Sequence, residues 1–308
     1  MMRKPDFFIV GAPKCGTTSL AAWLGEHPNI YLPAKTPTTE PHFFSTDLNL
    51  PRIEERSEYD RLFRGATDSH IAVGEASTSY LFSRTAIASV EREFPEPKYI
   101  VMVRDPAKMA RSLHEENVYR GAEHILSFET AWRLSSERRE GRSVSRWCQE
   151  PRLLDYQLVC RLGEQVGRLL EAVPRERILV IVLDDVAADT RREYLRTLSF
   201  LGVAYDGRED FPVKNAAKQH RSSSLRFATQ VLGRAGAHAK SLLGIPASKR
   251  WGLLETVDRL NTSPWVRPPV SACLRSELLE YYKDDIKELG RLLERDFTDW
   301  LGLDCPVP

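Results

Sequence analysis

One stretch constrains this chain more than any other: Gly11-Ala-Pro-Lys14-Cys-Gly16-Thr17-Thr18, because of what flanks it. Before it, Asp6-Phe-Phe-Ile-Val10 is a compact apolar run of good strand formers. Behind it, Leu20, Trp23 and Leu24 recur at helical spacing. Strand, tight loop and helix in succession aim backbone N–H groups and the positive end of a helix at one point, which suits phosphate oxygens. Gly and Thr also cap ordinary strand-to-helix turns. With the strand and the helix both in place, the loop reads as an anion site built from Lys14, Cys15, Gly16, Thr17 and Thr18.

The remaining chain repeats the same alternation. Short Val- and Ile-rich runs at 71–73, 99–103 and 178–183 are separated by segments of helical character at 107–117, 128–138, 153–173 and 191–201. This predicts an α/β, P-loop-like three-layer fold, with a central, mostly parallel β-sheet flanked by helices. We expect one domain over 1–308. Residues 211–269, basic and serine-rich at first and later bearing Pro and Trp, read as an excursion covering the active site. Residues 270–308 form a C-terminal helix and tail, with Leu274, Leu278, Tyr282, Ile286, Leu289 and Leu293 in helical register.

Bulk properties narrow the function classes. A formal net charge of +1 on 308 residues gives no reason to expect a nucleic-acid partner. The five cysteines are odd in number and form no CxxC pair, so they read as free thiols of a reducing compartment. No stretch of about 18 apolar residues occurs, so no transmembrane segment is expected and a cytoplasmic location is. Oligomeric state is not legible.

The loop spacing is similar to the nucleotide-triphosphatase pattern GxxxxGK[ST], but Thr17 stands where the lysine belongs, and the loop's one lysine is Lys14. A Mg-dependent, kinase-like phosphotransferase needs that lysine, with Mg²⁺ held by Ser/Thr and an acidic residue. Asp184-Asp185, after the run at 178–183, keeps this alternative open.

Residues 11–20 resemble the 5′-phosphosulfate loop of the sulfotransferase family. Tyr99-Ile-Val-Met-Val-Arg104-Asp-Pro106, followed by Arg111 and Ser112, resembles the strand, arginine and serine with which that family grips the 3′-phosphate of its donor. Unaided, an arginine leaving a strand and a hydroxyl one or two turns into the next helix can both donate to one phosphate. His27-Pro-Asn-Ile30 and Glu40-Pro-His42-Phe43-Phe44 form a third match, similar to the segment carrying the catalytic base in the glycan-acting, heparan-type branch and in many bacterial relatives.

The resemblance implies transfer of a sulfuryl group from 3′-phosphoadenosine-5′-phosphosulfate (PAPS) to a hydroxyl or amine, without a metal. It places the base on Glu40 and the cation for the bridging phosphate oxygen on Lys14. His42 is the rival base, since imidazole titrates near neutrality. Arg104 and Ser112 fall on the 3′-phosphate contacts. Lys218, Arg221 and Arg226 follow a helix-like stretch at 195–202 and offer further contacts; Lys218 and Arg221 are the two assigned to the donor.

Two positions depart from the family pattern. Thr39 replaces a lysine just before the glutamate, with Lys35 as its substitute, and Ala76 replaces the lysine of a Lys-Ser pair. The second departure suits bacterial relatives better than the glycan-acting enzymes. The acceptor class is a small molecule, glycolipid or glycan, because all of these use the same donor machinery.

Overall fold

The computed structural model describes residues 3–33, 40–214, 218–220, 262–264 and 270–302, with backbone alone for 218–220 and 262–264. The chain divides into two compact units, Met1–Lys214 with Val270–Pro308, and Asn215–Pro269.

The first unit opens with β1 (Phe7–Gly11), α1 (Thr17–Gly25), β2 (Ile30–Tyr31), α2 (Arg56–Arg61), β3 (Ala72–Ala76), α3 (Ala86–Glu93), β4 (Lys98–Val103) and α4 (Pro106–Arg120). After α5 (Phe128–Arg133), α6 (Ser135–Arg139), α7 (Tyr156–Val159) and α8 (Leu162–Ala172) come β5 (Ile178–Val182), α9 (Leu183–Ala188) and α10 (Thr190–Leu201). The strands form one five-stranded sheet in the order β2-β3-β1-β4-β5. Every pairing in it is parallel. Every residue of β1 and β5 is buried, as parallel strands covered on both faces require. The α/β three-layer architecture is the one the alternating runs predict.

Local differences have local causes. The run at 71–73 extends as β3 to Ala76, because Phe7, Phe8 and Ile9 of β1 pair with Gly74, Glu75 and Ala76. The helix expected over 153–173 is broken. The Asp155 carboxylate accepts the Leu158 N–H to start α7. Asp285 then accepts from the Gly163 and Glu164 N–H groups and caps a fresh start at α8. Asp285 belongs to α11 (Ala272–Leu293), the long C-terminal helix expected from 270–293.

Residues 211–214 stay with the first unit. The Trp23 indole N–H donates to the Pro212 carbonyl at 3.1 Å and the Lys214 N–H to Ser19 Oγ at 3.0 Å, both on α1. In the second unit, β6 (Lys218–His220) pairs antiparallel with β7 (Thr262–Pro264). Arg221 and Arg226 lie outside the described residues, as do Lys35 and Thr39.

Candidate active site

Strand order locates the site. Both neighbours of β1, β3 and β4, come later in sequence and lie on opposite sides of it, so the connections diverge at its carboxyl end. A crevice opens at such a switch point in a parallel sheet. Three segments meet there: the loop 11–16, the segment 77–81 after β3, and Arg104-Asp105 after β4.

The loop is shaped for an anion. Gly16 takes φ 93° as the N-cap of α1. A Cβ on it would stand 2.9 Å from Leu183 Cδ1 and 3.2 Å from Met102 Cε, so glycine is needed for both conformation and space. Cys15 turns its side chain into the core, where burial pushes its thiol up to about 12. Any contact it makes with a donor therefore comes from its backbone. Thr17 is buried and Thr18 half-buried in the first turn of α1.

Arg104 ties the loop to β4: its Nη1 donates to the Lys14 carbonyl at 2.9 Å. Asp105, just after it, caps α4 by accepting from the Ala107 and Lys108 N–H groups. Ser112 lies buried one to two turns along the same helix. Lys14 Nζ is 3.1 Å from Glu116 Oε2, and Glu116 in turn pairs with Arg120. Burial alone would raise the Glu116 carboxyl, but Lys14 and Arg120 outweigh it and hold it below the usual carboxylate range.

The Glu40–His42 turn faces the same corner. Glu40 Oε2 accepts from both the N–H and the Oγ1 hydroxyl of Thr78, each at 2.7 Å. His42 Nε2 lies 3.5 Å from the same oxygen. The His42 N–H donates to Ser77 Oγ at 2.9 Å, and Nδ1 meets Ser79 Oγ at 2.7 Å. Burial keeps the ring below the usual imidazole value, against the upward pull of Glu40. His42 is thus neutral at pH 7. A carboxylate oxygen only accepts, so Nε2–H faces Glu40 and Nδ1 accepts from Ser79.

Segment 77–81 joins the two halves. It runs beside β1 through Ser77 N–H to Ile9 O and Leu81 N–H to Val10 O. A Cβ at Gly11 would stand 3.1 Å from the Thr78 carbonyl oxygen, so the loop and the cradle of Glu40 touch. The sequence reading missed Thr78, Ser79 and Glu116. For Thr78 and Ser79 a signal existed in the hydroxyl-rich run Ser77-Thr78-Ser79; for Glu116 only helical spacing from Ser112 was available. Lys218 sits in β6 with its side chain outside the described residues, and Arg221 is outside them altogether.

The acidic pair that kept the phosphotransferase alternative open is otherwise engaged. Asp184 accepts from the Trp300 indole at 2.8 Å, and Asp185 pairs with Arg295.

Comparison with known proteins converges on one family. The chain is 34% identical over 112 residues to heparan sulfate glucosamine 3-O-sulfotransferase 6 of Homo sapiens, covering 36% of this chain and 30% of that protein. It is 29% identical over 126 residues to heparan sulfate glucosamine 3-O-sulfotransferase 3B1 of Mus musculus, covering 41% and 30%. These matches span about three-tenths of the relatives' length. A crystal structure of a sulfotransferase from Alicyclobacillus acidocaldarius superposes with TM-score 0.70 at 27% identity, over 97% of this chain and 99% of that one. The sulfotransferase domain model matches residues 4–227, which span the phosphate loop, the Glu40–His42 turn and Arg104 alike, and the chain belongs to the sulfotransferase family.

Proposed function

We propose that this chain transfers the sulfuryl group of PAPS to a hydroxyl or amine of a small-molecule, glycolipid or glycan acceptor. The observation that carries this is the double role of Thr78, whose carbonyl abuts the phosphate loop at Gly11 while its N–H and hydroxyl hold Glu40. The candidate anion loop and the candidate base therefore both rest on segment 77–81.

The residues fit a donor that needs no metal. Lys14, Arg104, Ser112 and the amides of residues 15–18 offer positive charge and N–H or O–H donors. The donor, when bound, supplies the sulfuryl group and leaves as 3′-phosphoadenosine 5′-phosphate (PAP). Lys14 leaves Glu116 to neutralise charge growing on the bridging phosphate oxygen. Arg104 and Ser112 take the 3′-phosphate. Glu40 Oε2 is committed to Thr78, so Oε1 accepts the proton of the attacking acceptor atom. Neutral His42 steadies Glu40 through Nε2–H and is a weaker base than a free imidazole, because burial disfavours its cation.

Titration calorimetry with PAP, with and without Mg²⁺ and beside ATP plus Mg²⁺, tests the reading. Metal-independent PAP binding that Lys14→Ala weakens at least about tenfold supports it. Preference for ATP with Mg²⁺ overturns it in favour of the phosphotransferase.

A further inference from the structure

Beneath the acid/base turn lies a carboxyl group that the reaction as described does not use. Glu75, on β3, is 1% exposed. It receives hydroxyls from two sides, Ser77 Oγ–H at 2.5 Å on one oxygen and Tyr59 O–H at 2.6 Å on the other. The nearby Tyr80 hydroxyl also favours the charged form. A carboxylate costs much free energy when buried without a cation, and no ion pair to Glu75 occurs among the described residues.

The bonds made by its partners give this buried charge a direction. A hydroxyl has one proton, and that of Ser77 goes to Glu75, so the lone pairs of Ser77 Oγ are fixed toward the His42 N–H. Beside it, the Tyr80 hydroxyl accepts the Phe44 N–H at 3.2 Å and holds the far end of the same turn. The anchor of the turn at His42 is thus set by the Glu75 carboxylate. His42 needs such support, because it holds φ 49°, a left-handed conformation that non-glycine residues adopt at a cost.

We propose that Glu75 is a positioning residue whose carboxylate, acting through Ser77, holds the turn at His42 and with it the aim of His42 and Glu40. This rests on the sulfotransferase reading only for what the turn does, not for the coupling itself. The coupling has a proton dependence. Burial pushes Glu75 up to about 7, against the hydrogen bonds from Ser77, Tyr59 and Tyr80, with Glu40 adding to the rise. The titratable and charged groups that face it among the described residues are Glu40 from the turn, Tyr59 from α2, Tyr80 after β3, Glu93 acting on Tyr59, and Arg56 over the Tyr59 ring at 5.8 Å. When Glu75 takes a proton, one oxygen becomes a donor and Ser77 loses its fixed orientation.

The test follows the His42 backbone amide by ¹H–¹⁵N spectroscopy from about pH 5.5 to 8.5 in the full chain, in wild type, Glu75→Gln and Ser77→Ala. PAP titrations run alongside. The expected wild-type amide inflects near pH 7, Glu75→Gln abolishes the inflection, and Ser77→Ala does the same while leaving Glu75 in place. An inflection that survives both variants belongs to the His42 ring and overturns the proposal, as does a flat wild-type amide. The Gln variant retains volume and burial, and Ser77→Ala decides the matter should it fail to fold. Absence of PAP binding by the wild type sinks the sulfotransferase reading instead, and leaves the amide result to judge Glu75.

Discussion

Lys14 and Glu116 are paired beside the phosphate loop, Nζ to Oε2 at 3.1 Å, so the cation proposed to meet the donor has a carboxylate partner within the protein. Glu116 is the residue to remove. It competes for Lys14 and repels an incoming phosphate. Glu116→Gln should tighten PAP binding by about two- to tenfold at low salt, with the gain shrinking as ionic strength rises. Calorimetry at two salt concentrations checks both; weaker binding would mean that Glu116 guides Lys14 rather than competing for it.

Arg104 has a structural task as well as the assigned contact with phosphate, since it donates to the carbonyl of Lys14, a residue at φ 63°. Arg104→Ala loses both, and a hydrogen bond from a charged group is worth about 1.5–3 kcal/mol. We expect PAP affinity to fall by about ten- to a hundredfold. Arg104→Lys should recover only part of it, because lysine supplies the charge without the fork that reaches carbonyl and phosphate together.

Gly16→Ala should destabilise the fold by about 1–3 kcal/mol, through strain at φ 93° and the close approach to Leu183 and Met102. Urea denaturation measures the loss. An alanine variant as stable as wild type would show that the loop relaxes at no cost.

The three elements that make the site were legible to different degrees, for physical reasons. The phosphate loop was readable because its signal is local: a strand, glycines at fixed spacing and a helix within twenty residues. Arg104 and Ser112 were singled out by the family resemblance; spacing alone says only that an arginine leaving a strand and a hydroxyl on the next helix can reach one anion. What escaped was the support beneath Glu40. Glu75 lies in β3 and Thr78 and Ser79 just after it, far from the turn in sequence, so no local pattern links them to Glu40 and His42. The unbroken helix over 153–173 was misread for the same reason, since Asp285, which restarts it at Gly163, comes from the far end of the chain.

Glu75 also has a consequence for stability against pH. Its folded value is raised to about 7 from the ordinary 4.5. Between those values the folded state holds a proton that the unfolded state has lost, so this contribution is full below about pH 4.5 and disappears as pH rises through 7. It amounts to at most about 3 kcal/mol. Glu75→Gln should flatten that part of the stability curve, measured by urea denaturation across the range. A slope equal to that of wild type would mean that Glu75 ionises in the fold as it does in water.

The last prediction separates aim from binding. Thr78 holds Glu40 Oε2 with its N–H and its hydroxyl at equal distance. Thr78→Val keeps the shape of the side chain and the backbone bond, but removes the hydroxyl. One neutral-to-charged hydrogen bond is lost, and Glu40 gains freedom to turn away from the acceptor. Release of PAP from PAPS with an acceptor that supports turnover should slow by about three- to thirtyfold in kcat, with PAP affinity unchanged. The split is the informative part. If kcat and PAP affinity fall together, the contact between Gly11 and Thr78 has been disturbed and segment 77–81 serves the donor loop first; if kcat alone falls, it serves the base.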